Sequence, residues 1–313
     1  MVNDANEKTR HWLGKLTALR PAIGRGNTRG KAPHKPLLLL CLIDMAETGA
    51  GLPGRTFVRT PSLVLRFRTY GSFTADRWPT KLDLRLPFYH LSSQEFWAAF
   101  TADMRPATSP NDCAVCELDR DFHALLADPD FRLKARLLLI SRYFEPAEQA
   151  AFYESFGFTP PNLGPAVGEQ LVSAGLEAAK LKGRSAKFQV RVVDDYHHVC
   201  ALTGYRCVTT DGASVVDAAH IESWAETRND DLTNGLALSK TAHWMFDEGL
   251  WTVDDEMRVV VHPTRFLEVG PEASLLRTYA GRHLQFDPKA KLRPAVECLR
   301  RHRMRHRAAL PPR

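Results

Sequence analysis

Three side chains spaced 14 and 9 residues apart, His220, Asn234 and His243, carry the strongest chemical signal in this chain of 313 residues. A neutral imidazole is available near pH 7 to accept a proton, and imidazole is also a common ligand for divalent metals. Asp247 lies four residues beyond His243, on the same face if the segment is helical. Its carboxylate can either orient the His243 ring or bind an ion itself. A proton acceptor beside a cation site is the equipment of metal-assisted hydrolysis.

Those residues need a frame, and the surrounding pattern supplies one. Ser214 to Ile221 is short and rich in β-branched residues, Asn234-Gly235 is a turn signal, and Ser239 opens a helical segment through Phe246 that stops at Gly249. The order predicted is strand, loop, strand, helix. Upstream, the composition of 44% hydrophobic and 25% charged residues excludes collagen, low-complexity chains and a wholly disordered protein, and the length suggests two domains. The longest apolar run, Leu37 to Ile43, falls far short of the roughly 20 residues that span a bilayer. With no charged start leading into an apolar stretch, the chain is expected to lack a signal peptide and to be cytosolic. The six cysteines, of which only Cys113 and Cys116 are close, are expected to be reduced and mostly buried.

The net charge of +6 hides an uneven distribution. No acid occurs from Lys8 to Ile43, where Lys8, Arg10, Lys15, Arg20, Arg25, Arg29, Lys31 and Lys35 are basic. A second acid-free stretch holds Lys180 to Arg191, and a third carries Arg300, Arg301, Arg303, Arg305 and Arg307. Three such runs favour a polyanion partner, because each phosphate neutralised releases counterions.

The N-terminal half reads as mixed α and β. Trp12, Leu13, Leu16 and Leu19 mark an amphipathic helix over Glu7 to Leu19, and Gly24 to Lys31 is a glycine and cation loop. Pro33 suits the first turn of a buried helix that ends at Gly49. Phe57-Val58 and Leu63 to Phe67 are expected as strands able to pair, Pro106 to Asn111 as a loop, and Phe122 to Phe144 as a helix. Three prolines and a glycine in Thr159 to Pro165 place a break there. The division expected is a first domain over 1–160, a linker over 161–187 and a second domain over 188–313.

The series Asp-Ala-Ala-His-Ile, Asn-Gly-Leu and His-x-x-Phe-Asp, over roughly the last ~120 residues, resembles the HNH endonucleases. That resemblance implies an α+β protein whose C-terminal domain has the ββα-metal fold and hydrolyses phosphodiesters with a divalent ion, Mg²⁺, Mn²⁺, Ni²⁺ or Zn²⁺. His220 then serves as base, His243 binds the metal, and Asn234 holds the intervening loop against the His220 strand. One departure stands out. Many HNH nucleases place an Asp or His ligand directly before the base, where this chain has Ala219. Asp217 is the acidic ligand expected instead, although it is displaced by roughly 6.6 Å along the strand. Cys200 and Cys207 lack the spacing of the zinc knuckles found in some HNH folds.

Upstream, Arg29-Gly-Lys-Ala-Pro-His-Lys-Pro-Leu-Leu-Leu-Leu and Leu86-Pro87-Phe88-Tyr89-His90-Leu91 resemble the sulfur-binding domain of McrA-like, type IV modification-dependent restriction endonucleases. The family reads phosphorothioate DNA. By resemblance, Leu86 and Pro87 form an apolar dimple for sulfur, and Arg29, Lys31, His34 and Lys35 hold neighbouring phosphates. The family's usual tyrosine before that proline is Leu86 here. The function expected is a phosphorothioate-dependent DNA endonuclease acting as a homodimer on double-stranded DNA, since each HNH centre cuts one strand. Two alternatives stay open: an HNH nuclease directed to methylated or hydroxymethylated cytosine, and a DNA-binding protein that does not cleave.

Overall fold

The computed structural model describes residues 2–49, 54–158, 175–210, 212–271 and 275–306. Contacts divide the chain into two compact units, residues 1–186 and 187–313. Among the described residues no helix is long and apolar enough to cross a membrane.

The first unit is built around a helix that is apolar on all sides. Helix α1 (Val2–Thr17) contributes Trp12 and Leu16 to the core. Helix α2 (His34–Thr48) buries every residue from Pro36 to Met45 and stops at Gly49, whose φ of 68° a glycine adopts without a Cβ penalty. A polar residue inside such a helix needs partners. Asp44 has them: it accepts from Arg66 Nε at 2.7 Å and from Tyr70 Oη at 3.2 Å. Strand β1 (Thr56–Val58) is followed by α3 (Pro61–Gly71), then α4 (Arg85–His90), β2 (Trp97–Phe100) and β3 (Val115–Leu118). The sheet order is β1-β3-β2, antiparallel throughout, with Phe57 opposite Cys116 and Trp97 opposite Leu118. Helices α5 (Arg120–Leu125), α6 (Pro129–Tyr143) and α7 (Pro146–Phe156) complete the unit.

Two expectations for this unit are corrected. Leu63 to Phe67 is helical. Thr60 caps α3 by accepting from Leu63 N at 3.2 Å, Pro61 fits its first turn, and Leu63, Val64, Phe67 and Tyr70 bury one helical face. Phe122 to Phe144 is two helices. Asp128 and Pro129 start α6 afresh, the carboxylate accepting from Asp130 N at 2.9 Å.

Helix α8 (Gly175–Asp195) runs through residues expected in the linker, from 175 to 187. The break expected at Thr159 to Pro165 lies outside the described residues. The second unit then has β4 (Val216–His220), the short α9 (Trp224–Thr227), β5 (Gly235–Ser239), α10 (Lys240–Asp247), the β6 (Trp251–Val253) and β7 (Val259–Val261) hairpin, and α11 (Val296–His306). The strand, loop, strand, helix order therefore occurs where its pattern lies. Asn234-Gly235 does not make a hairpin turn, however. Gly235 is extended at φ −124° and pairs with His220 as the first residue of β5. A Cβ there would lie 2.6 Å from Val192 Cγ2 and 2.9 Å from the Phe188 ring, so close packing against α8 requires the glycine.

The arginines of α11 are also engaged within their unit. Arg300 pairs with Asp255 at 2.8 Å, Arg301 with Glu222 at 3.0 Å and Arg305 with Glu226 at 3.0 Å, while Arg303 reaches Val253 O and Asp255. The described arginines of this third basic run are thus each paired with an acid of their own unit, while Arg307 lies outside the described residues. All six cysteines are free thiols, and only Cys207 is exposed.

Candidate active site

The strand pairing brings His220 to the edge of a cleft. Along β4, side chains alternate. Ala218 and His220 line the cleft, while Ala219 is fully buried on the other face. Ser239 starts α10 by accepting from Ala242 N at 3.4 Å, and Trp251 Nε1 donates to Ala242 O at 3.1 Å, which seats the helix beside the strands. The two turns of α10 then carry His243 and Asp247 to the same cleft, with His243 Nε2 3.4 Å from Asp247 Oδ2. The space between them is about 370 Å³, large enough for a phosphodiester, and Trp224, His302, Arg305 and His306 share its lining.

Asn234 stands behind the cleft and is fully buried. Its Oδ1 accepts from Glu222 N at 2.8 Å, its Nδ2 donates to Asn229 O at 3.0 Å and to Glu222 O at 3.3 Å, and its carbonyl accepts from Ile221 N at 2.9 Å. The side chain and main chain of Asn234 thereby tie the start of the β4–β5 loop to its end.

Asp217 is a correction. It alternates to the face of β4 shared with Ala219, is absent from the cleft lining, and sits opposite Leu238 in the ladder. The carboxylate beside His243 is Asp247. Burial raises its pKa above the ordinary carboxylate value, with His243 and Arg305 opposing the shift. Among the described residues no group of three or more His, Cys, Asp or Glu side chains is placed to hold a metal ion. The donors present, one imidazole nitrogen and one carboxylate oxygen open to the cleft, fit a hydrated ion that takes its remaining ligands from water and substrate.

Residues that pattern reading passed over surround His220. Its ring stacks on Phe188 of α8, with centroids 3.8 Å apart and planes 4° from parallel. Its Nε2 lies 3.1 Å from Asp230 Oδ1, and Asp230 Oδ2 accepts from Trp224 Nε1 at 3.1 Å. Burial lowers the His220 pKa; Asp230 opposes that shift, and the neighbouring His243 adds to it. The imidazole is therefore neutral at pH 7, the form a base requires. The sequence carries a weak sign of this arrangement in Asn229-Asp230-Asp231, an acidic step inside the loop that Asn234 closes.

In the first unit a second concavity, of about 270 Å³, is lined by Pro21, Ala22, Ala32, Trp78, Leu86 and Pro87, with His34, Lys35 and His90 among them. Four of the six expected reader residues, His34, Lys35, Leu86 and Pro87, thus converge on one dimple. Arg29 and Lys31 do not line it. Arg29 Nη2 donates to Asp76 O at 3.4 Å, and Lys31 Nζ lies 5.3 Å from the centre of the Tyr143 ring. The loop carrying them is anchored by Arg77, which is buried, pairs with Glu148 at 2.6 Å and donates to the carbonyl of Lys31. At Gly24 a Cβ would meet Thr28 O at 2.7 Å, so the loop closes on itself only with glycine there. Burial lowers the pKa of His34, Lys35 and His90 alike.

Comparison with known proteins agrees with the cleft. Residues 200–254 match the family model described as HNH endonuclease. No curated protein matches significantly. Among solved structures, one described as "Modification dependent TagI restriction endonuclease" is 22% identical, over 39% of this chain and 38% of that chain, with a TM-score of 0.31. Another, "Structure of the Type IV phosphorothioation-dependent restriction endonuclease ScoMcrA", is 12% identical over 94% of this chain and 99% of that one, with a TM-score of 0.32. Neither superposition is close enough to carry an argument. The weight rests on the family match and on the residues gathered at the cleft: residues 200–254 form an HNH endonuclease domain.

Proposed function

We propose that this protein is a modification-dependent DNA endonuclease of the type IV restriction class, reading phosphorothioate DNA in the cytoplasm with its first unit and hydrolysing the backbone with its second. The observation that carries the cutting half is the convergence of His220, His243 and Asp247 on one cleft. His220 takes the proton of the attacking water. Asn234 keeps the loop, and with it the end of the His220 strand, in place. His243 and Asp247 hold a divalent ion, which supplies charge stabilisation at the phosphate. Because one centre cuts one strand, two copies of the chain act on the duplex to break it.

The reading half is supported by the character of the dimple. Sulfur in a non-bridging position is larger, more polarisable and a poorer hydrogen-bond acceptor than oxygen. A wall of proline, alanine, leucine and tryptophan costs it little hydration. An ordinary phosphate oxygen entering the same space loses its water and meets two imidazoles, His34 and His90, that burial keeps neutral at pH 7. Lys35, whose Nζ donates to Arg20 O at 3.0 Å, supplies the nearby ammonium for the linkage's charge.

Incubating the protein and Mg²⁺ or Mn²⁺ with plasmids that carry or lack phosphorothioate linkages tests both halves. Cutting confined to the sulfur-bearing plasmid is expected. Equal cutting of both overturns the specificity, and preferential cutting of plasmids bearing methylated or hydroxymethylated cytosine reassigns the reader to a base. A His220→Ala variant that cuts at the parental rate overturns the mechanism.

A further inference from the structure

We propose that Asp230 is the positioning residue for the His220 base, holding the ring by Nε2 so that Nδ1 is the nitrogen that receives the proton, with Trp224 in turn locking the Asp230 carboxylate. The inference rests on the reading of His220 as base and adds to it the tautomer, the proton-accepting atom and two residues outside the His, Asn and His series.

Three contacts carry it. Asp230 Oδ1 lies 3.1 Å from His220 Nε2, within reach of an N–H donated by the ring. The second oxygen, Oδ2, accepts from Trp224 Nε1 at 3.1 Å, so the carboxylate cannot swing away without breaking a bond. Phe188 stacks flat on the imidazole at 3.8 Å and restricts tilting of the ring plane. A carboxylate accepts and does not donate, so a neutral His220 keeps its proton on Nε2 and its lone pair on Nδ1. His220 is part of the cleft lining, and among the described residues no hydrogen bond forms at Nδ1.

The proton balance follows. An O–H bond of water breaks, and its proton passes to Nδ1. The water oxygen forms the new bond to phosphorus, the bond from phosphorus to the bridging oxygen breaks with its electron pair on that oxygen, and the departing oxygen takes a proton from solvent. Asp230 remains a carboxylate throughout and stabilises the imidazolium that forms. The other titratable or charged groups around the ring are His243 and Asp247 of α10 and His302, Arg305 and His306 of α11, which line the same cleft. Asp230 is the carboxylate hydrogen-bonded to the ring.

The pH profile of single-turnover cleavage by the full chain separates this role from a structural one. The base works unprotonated, so the rate falls on the acid side as His220 gains a proton. Asp230→Asn removes the charge that favours the imidazolium. It should slow cleavage by roughly 100-fold or more and move the acid limb to lower pH, while Asp230→Glu restores part of both. Trp224→Phe leaves the carboxylate less engaged and more able to stabilise the imidazolium, so its acid limb should move the other way, to higher pH, with a rate loss of only a few-fold. An imidazole ¹⁵N spectrum of histidine-labelled protein at pH 8 should show His220 protonated on Nε2. An unmoved acid limb in Asp230→Asn, or a His220 protonated on Nδ1, overturns the proposal. If His220→Ala itself cleaves normally, the failure belongs to the reading of the base and not to Asp230 alone.

Discussion

The cleft of the second unit and the dimple of the first use the same side-chain types to opposite ends. In the cleft of the second unit, imidazoles, a carboxylate and a guanidinium face one another across the space a phosphodiester would fill. In the dimple of the first unit, proline, alanine, leucine and tryptophan make the walls, and His34, Lys35 and His90 are the titratable groups among them. Burial lowers imidazole pKa values in both places. In the cleft, a carboxylate hydrogen-bonded to Nε2 opposes that shift and prepares the ring for a proton. In the dimple the imidazoles are left neutral, which suits recognition of a weakly hydrated group and provides no base. Desolvation with charges only nearby thus suits a binding surface, and desolvation with a hydrogen-bonded counter-charge makes a centre that moves protons.

The comparison breaks most sharply at His220. Alanine there should reduce cleavage by about 10³-fold while leaving binding of modified DNA intact, as read by gel shift; loss of both would mean that the cleft and the dimple are not separate devices. His243→Ala should abolish metal-dependent cleavage and weaken Mn²⁺ binding measured by calorimetry, again without altering DNA affinity. On the other side, Leu86→Asp places a negative charge at the dimple. It should weaken binding of sulfur-modified DNA by roughly 10- to 100-fold while leaving the single-turnover rate at saturating protein near that of the parent.

Two smaller effects sharpen what holds the cleft together. Gly235→Ala drives a methyl into Val192 and Phe188, and about 1–3 kcal/mol of stability should be lost, read as a lower Tm. His302 is on the buried face of α11, with Nδ1 2.8 Å from Thr252 Oγ1 and its ring stacked on Phe246 at 3.8 Å. Burial lowers its pKa to about 3. Below the unfolded value of about 6.5 the unfolded chain binds a proton that the folded chain refuses. Its contribution is therefore present in full above pH 6.5 and lost as pH falls toward 3, on the order of a few kcal/mol. His302→Leu should flatten the dependence of Tm on pH in that window.

How much of this was legible beforehand differs by distance along the chain. The strands and helix that frame the cleft lie within 32 residues, from Val216 to Asp247, and their β-branched, capping and helical signals act locally. The order His220, Asn234, His243 was readable for that reason, as was α2 with its apolar run. Leu63 to Phe67 was misread because five apolar and cationic residues suit either period, and the deciding signal was the Thr60-Pro61 cap just upstream. Asp217 was favoured as a ligand because it shares the strand face of residue 219, and that face of β4 lies away from the cleft, with Ala219 fully buried. The basic runs counted charges without their partners, so the clamps from α11 to Asp255, Glu222 and Glu226 were invisible.

The amino-acid order by itself determined which residues could do chemistry and which segments would be strand or helix, because spacing, caps and glycines act over a few bonds. Only the tertiary structure decided that Asp230 and not Asp217 meets the site, that Phe188 covers the His220 ring, and that Arg77 with Glu148, 71 residues apart, anchors the cationic loop. Periodicity states which face of an element avoids water. Which partner that face then meets is set by packing, where distance in space and distance in sequence cease to correspond.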